Sequence, residues 1–137
     1  WENAEKDLLE SLKILPNQAH VLNYLAYSWI DKGINLSRGL EMLKKAAELK
    51  KDDGYIIDSL GWAYYAKKDY IKAEKYLQRA VELLPLDPII NDHYADSLWM
   101  LKKKIQARYF WNYVLKLDGI EQKLKDIVYK KLIFGII

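Results

Sequence analysis

The side chains able to do chemistry in this sequence are few and poorly spaced for catalysis. His20 and His93 are its two histidines and there is no cysteine. A three-histidine metal site, a thiolate ligand and a cysteine nucleophile are therefore excluded together. Asp92 and Asp96 stand one helical turn apart and, with Asp58, offer three carboxylates that in principle could chelate a divalent cation. Neither a glycine-bearing calcium loop nor a histidine pair accompanies them, so a solvated acidic face is the commoner explanation. His93 beside Asp92 is an i,i+1 pair, which does not face itself on a helix. A satisfied or exposed histidine explains it better than a catalytic one. No P-loop, dinucleotide fingerprint, nucleophile elbow or HExxH motif occurs. The sequence reads as non-enzymatic, with no cofactor and no metal.

What remains is recognition, and the elements that would carry it are helices. The chain has 137 residues, of which 51% are hydrophobic and 30% charged, a globular balance rather than a disordered one. Three prolines and six glycines leave little room for long loops. The most prominent apolar run, Leu132 to Ile137, is far short of the ~20 residues of a membrane span. Net charge is +3 but uneven: residues 1–99 hold 13 Lys/Arg against 16 Asp/Glu, and residues 100–137 hold 9 against 3. The basic character thus belongs to one end. The chain opens at Trp1 with no initiator Met and no signal-peptide pattern, and it reads as a piece of something longer.

Internal self-similarity organises the chain. Gly54 to Asp87 spans 34 residues and contains Leu60-Gly61-x2-Tyr64, then Ala73, Leu77, Ala80 and Pro85. This segment resembles the tetratricopeptide repeat (TPR), whose pattern is W-x2-L-G-x2-Y…A-x3-F…P; Ile57 replaces the first Trp and Leu77 the Phe. Residues 88–121 follow in phase with Tyr94-Ala95-x2-Leu98, Ala107, Trp111, Val114 and Leu117. Residues 19–53 do so with Leu25-Ala26-x2-Trp29, Gly39, Leu43, Ala46 and Leu49, and with one extra residue placed in the Gly33–Leu36 turn. Residues 1–18 fit the second half of a preceding repeat, through Ala4, Leu8, Ser11, Ile14 and Pro16.

The resemblance implies an all-α fold: a TPR right-handed superhelical solenoid of antiparallel helix pairs, about eight helices, forming a single domain over 1–137. Small residues (Gly61, Ala26 and Ala95 facing Gly39, Ala73 and Ala107) would let paired helices approach closely. Residues 120–137 leave the repeat pattern. Ile120, Leu124, Ile127, Val128 and Leu132 form an apolar stripe that reads as a C-terminal capping helix. No such cap covers the other end, so Trp1, Leu8, Leu9 and Leu12 are expected to be partly uncovered.

In this family the ligand is met by the second, fifth, ninth, twelfth and thirteenth residues of each repeat's first helix, a stripe on the concave face. Carried onto this chain, the first repeat gives His20, Asn23, Tyr27, Ile30 and Asp31. The second gives Tyr55, Asp58, Trp62, Tyr65 and Ala66, and the third Ile89, Asp92, Asp96, Trp99 and Met100. Family members that hold a chaperone's C-terminal carboxylate use Lys, Arg and Asn here; of that set this stripe has only Asn23. The groove expected from His20, Asn23, Tyr27, Tyr55, Asp58, Trp62, Tyr65, Asp92, Asp96 and Trp99 is aromatic and acidic. It would suit a partner protein or peptide with apolar anchors and basic residues. The same tryptophans could equally be covered by superhelical curvature or by preceding repeats.

Three further readings come from other features. The uncapped beginning and the apolar tail Ile133–Ile137 could drive self-association, making the chain an assembly element. The basic end, with Lys102, Lys103, Lys104 and Arg108 around a turn and Lys123, Lys125, Lys130 and Lys131 on the cap, meets the minimum requirement for RNA or an anionic surface. An RNA-reading solenoid would want that charge on its concave face, where this chain places Asp. Finally, LNYLAYSWIDKG, IIDSLGWAYY and PIINDHYADSLWMLKKKIQARYFW resemble the end of bacterial TPR proteins of the envelope-lipoprotein type. That likeness implies an adaptor that brings partners together, often a protease and its substrates. It points to the cell envelope, with the cytoplasm left open.

Overall fold

Helices pair where their side chains are small enough to let the backbones meet. In the computed structural model, which describes all 137 residues, Ala26, Gly39, Gly61, Ala73, Ala95 and Ala107 are all buried. At Gly61 the contact is closest: a Cβ there would lie 2.7 Å from Leu77 Cγ and 3.2 Å from the Leu77 backbone nitrogen. Two turns further along the second helices, Ala46, Ala80 and Val114 are fully buried. The chain forms eight helices: α1 (Glu2–Ile14), α2 (Ala19–Lys32), α3 (Leu36–Leu49), α4 (Gly54–Ala66), α5 (Tyr70–Leu83), α6 (Pro88–Met100), α7 (Lys104–Lys116) and α8 (Gln122–Phe134). No strand is present, and no helix is long and apolar enough to cross a membrane.

The boundaries follow local chemistry. Asp53 accepts hydrogen bonds from the Tyr55 and Ile56 amides at 3.0 and 3.2 Å, starting α4. Asp87 does the same for Ile90 at 3.0 Å, with Pro88 preset for the first turn of α6. Within each pair the connecting turn passes through a left-handed residue: Gly33, Lys68 and Lys102, at φ 71°, 65° and 65°. After Gly33 the chain spends two residues, Ile34 and Asn35, before the next helix, where Asp69 or Lys103 alone suffices.

Antiparallel pairs α2/α3, α4/α5 and α6/α7 stack in order, and the first helices α2, α4 and α6 lie side by side along the concave face. One apolar core of 16 buried residues runs from Ala26 to Val128, with Trp111 filling the position that Leu77 fills one repeat earlier. The two ends differ. α1 has no fully buried residue, Trp1 is 39% exposed, and Leu8, Leu9 and Leu12 are half-buried. A bond of 2.6 Å from the Trp29 indole N–H to the Glu5 carboxylate helps to tie α1 to α2.

α8 forms where the sequence places a capping helix, and its position adds something to that reading. It lacks the small-residue signature, yet it begins 34 residues after α6, the interval that separates α6 from α4. It therefore stands in the period of a further first helix, packed on α7 through Val128.

Candidate functional site

The concave face is built from equivalent positions on α2, α4 and α6, and it divides into two halves. In the proximal half, α2, α4 and the start of α6 enclose a hollow of about 370 Å³ lined by His20, Asn23, Tyr27, Tyr55, Asp58 and Ile89, among others, with no Lys or Arg. His20 and Tyr55 are exposed, Asn23 and Tyr27 half-buried, and Asp58 is buried. Tyr24, also in the lining, is 59% exposed. The Tyr27 hydroxyl is pushed up to about 12 by burial first, then by the Asp58 and Asp31 carboxylates, so it remains a neutral phenol. Asn23 Oδ1 is shut away from water with no hydrogen-bond partner.

Between the halves lies a fixed stack. Asp58 Oδ1 meets His93 Nδ1 at 2.9 Å, across from α4 to α6, with both side chains buried. The imidazole lies flat on Trp62 with ring centres 3.9 Å apart, and Trp62 stacks in turn on Tyr65 at 4.5 Å. Burial opposes the imidazolium, but the Asp58 charge and hydrogen bond, with Asp92 and Asp96 behind them, raise the His93 pKa above its ordinary value. Burial likewise lifts the Tyr65 hydroxyl well above its ordinary range, helped by Asp96, Tyr70 and Asp92.

The distal half is occupied by the protein itself. Lys131 of α8 sends its ammonium between the Asp92 and Asp96 carboxylates, with Nζ 3.0 and 3.1 Å from the two Asp92 oxygens and 2.9 and 3.0 Å from those of Asp96. The Trp111 indole N–H donates to Asp96 Oδ1 at 3.1 Å. Asp96 is pushed up to about 6, by burial first and then by Asp92, against the pull of Lys131 and His93. Lys131 is held charged: burial opposes this, and both carboxylates override it. Trp99 is covered as well. Lys104 and Arg108 sit over its ring at 4.9 and 5.6 Å, and the Gly135 backbone packs against it so closely that a Cβ would collide. Arg108 also donates to the Leu132 carbonyl at 2.8 Å, pinning the end of α8.

The acidic face read from the sequence is therefore neither solvated nor free. Asp58, Asp92 and Asp96 are buried, each with a partner brought to it from another helix, the His93 imidazole for the first and the Lys131 ammonium for the other two. They do not converge on one point, and no cluster of three His, Asp or Glu side chains is placed to hold a metal ion. Two contributors escaped sequence reasoning. His93 finds its carboxylate one repeat back rather than on its own helix. Lys131 reads in the sequence as part of the cap's basic surface, yet it lies three residues beyond Val128 on the apolar stripe, a place with no use for a solvated lysine.

Comparison with known proteins agrees with this architecture. Residues 55–87 match the family model described as "Tetratricopeptide repeat". The TPR repeat-containing protein PA4667 of Pseudomonas aeruginosa is 36% identical over 81 residues, 59% of this chain and 14% of that protein. The chain thus covers only a small part of that relative. Among solved structures, MamA superposes with a TM-score of 0.74 over 96% of this chain and 78% of its own, at 18% identity. PilF of Pseudomonas aeruginosa gives 0.71 over 95% and 60%, at 17% identity. The first TPR of Spaghetti (RPAP3), bound to the HSP90 peptide SRMEEVD, gives 0.70 over 82% and 88%, at 18% identity. Residues 55–87 thus carry a tetratricopeptide repeat, set in an all-helical solenoid whose first helices α4 and α6 recur at the same 34-residue period.

Proposed function

We propose that this chain is a non-catalytic protein–protein interaction module, a scaffold or adaptor that takes a segment of a partner protein on the open, proximal half of its concave face. The observation that carries the reading is the hollow between α2, α4 and α6, where Tyr24, Tyr55 and Ile89 stay exposed at 59%, 59% and 51%. Aromatic side chains around a concavity supply area at low entropic cost. The RPAP3 repeat domain, similar in fold, binds a peptide rich in carboxylates. The lining here has no Lys or Arg and includes Asp58 and Asp87, so the fitting partner is of the opposite kind, apolar with basic residues.

The test is capture of partners from native lysate by the chain and by two variants checked for equal helicity. Tyr27→Ala with Tyr55→Ala should lose the partner, and Tyr109→Ala, altering an exposed ring on α7, should keep it. A partner retained by the groove variant would overturn the reading.

A second reading, self-association, is favoured by apolar side chains left uncovered at both ends: Ile14 and Leu15 at 78% and 61%, Ile133 and Phe134 at 69% each. Ends of an open solenoid that recognise each other extend without closing. Light scattering over a concentration series decides it, since a strict monomer would end the assembly idea.

A further inference from the structure

The repeat period allows one part of the concave face to be read from another. The fifth residues of α2, α4 and α6 are Asn23, Asp58 and Asp92, three acceptors in a row. Asp58 has the His93 ring at 2.9 Å. Asp92 has the Lys131 ammonium, shared with Asp96, the ninth residue of the same helix. Asn23 has nothing. The residue on α4 equivalent to His93 is Ser59, whose hydroxyl is turned back to the Tyr55 carbonyl at 3.1 Å, and Asn23 Oδ1 is left without a partner. The ninth residue of α2, equivalent to Asp96, is Tyr27. Asn23 and Tyr27 both line the open hollow, and Asp58 lies beside them.

Resting on the reading of the concave face as the partner's seat, we infer that this hollow is a lysine subsite: a primary ammonium of the partner segment enters between Asn23, Tyr27 and Asp58, as Lys131 enters between Asp92 and Asp96. The distal half is the template for the chemistry, because there the same two helical positions already hold an ammonium. In the proximal half the direct acceptor is an amide rather than a carboxylate, and the Tyr27 ring adds a π face. Asp58, whose Oδ1 is engaged by His93, and Asp31 supply the negative field, and the lining contributes no Lys or Arg of its own. An Asn amide turned end for end presents Oδ1 to the hollow without moving the backbone. A neutral acceptor also leaves the free site without an uncompensated buried charge, which a carboxylate at position 23 would introduce.

The experiment is an NMR titration of the full chain with Nα-acetyl-lysine N-methylamide and, separately, with its norleucine analogue, which has the stem but no ammonium. The Asn23 side-chain amide should shift saturably with the lysine compound, at an affinity about tenfold above that for norleucine. Asn23→Asp, which restores the carboxylate carried by the next two repeats, should tighten lysine binding by a further factor of about ten. Asn23→Leu should abolish the preference for lysine over norleucine. Equal response to the two compounds, absence of any shift at Asn23, or an Asn23→Asp variant that binds no better would each overturn the inference. These outcomes are independent of partner capture: a partner lost with Tyr27 and Tyr55 while lysine goes unrecognised keeps the module and removes the subsite.

Discussion

Asp58 and Asp92 occupy the same position in consecutive repeats, and the two halves of the concave face diverge around them. Beneath Asp58 the cation comes from the neighbouring first helix, so the outer surface stays open and the hollow beside it is bordered by tyrosines. Around Asp92 the cation comes from α8, which brings Gly135 down onto Trp99 and closes that end. Acidic positions on a solenoid's inner face are thus not binding residues by virtue of their place. What each does depends on whether the next first helix supplies a counter-charge, and only the first repeat is left without one.

The sharpest way to break this contrast is Lys131→Ala. It strands two buried carboxylates, and since the Lys131 side chain is 18% exposed the loss should be about 2–4 kcal/mol, somewhat below that for a fully buried pair. Urea unfolding followed by circular dichroism reads it. Asn23→Ala, at the equivalent tier of the open half, should change stability by less than about 0.5 kcal/mol. His93→Leu comes next at roughly 1–3 kcal/mol, because it leaves the Asp58 carboxylate buried without its donor. It should also loosen Trp62, visible as a reduced near-ultraviolet dichroism.

The pH dependence tests the same charges together. His93 feels Asp58 on α4 and Asp92 and Asp96 on its own helix, and the latter two hold Lys131 of α8. Asp96, raised to about 6, keeps in the fold a proton that the unfolded chain releases near pH 4. Its contribution is present at low pH and lost as pH climbs through about 6. His93, also raised, holds its proton beyond the ordinary 6.5, and that contribution is lost at still higher pH. Both have one sign, so stability should fall by on the order of 1–2 kcal/mol between pH 4.5 and 8, and Asp96→Asn should flatten the lower part of the curve. The smallest effect lies outside the groove. Lys102 holds a left-handed φ of 65° where glycine costs less, so Lys102→Gly should stabilise the turn by roughly 0.5–1 kcal/mol without touching ligand binding.

Much of this architecture could be read before any coordinate. The small residues Gly61, Ala73 and Ala95, recurring at the repeat period, locate the helix pairs, and Asp87-Pro88 marks a helix start because capping is a local event. The state of the groove was harder to read, for a physical reason. His93 and Asp58 are 35 residues apart, and Lys131 reaches back 39 and 35 residues to its partners. Such contacts depend on how far one repeat is rotated against the next, which residue type does not report. α8 shows the same limit: its sequence abandons the motif while its position keeps the period, since a terminal helix needs to be small on one side only.

The Trp62–His93 stack has an optical consequence. An imidazolium in face contact with an indole quenches its emission by accepting an electron from the excited ring, whereas the neutral imidazole does so weakly. With the ring centres 3.9 Å apart and the imidazolium favoured by Asp58, Trp62 should be dimmest where His93 is protonated. It should brighten as His93 is deprotonated or displaced. The molecule thereby carries its own fluorophore at the boundary between its closed and open halves, against the background of four other tryptophans.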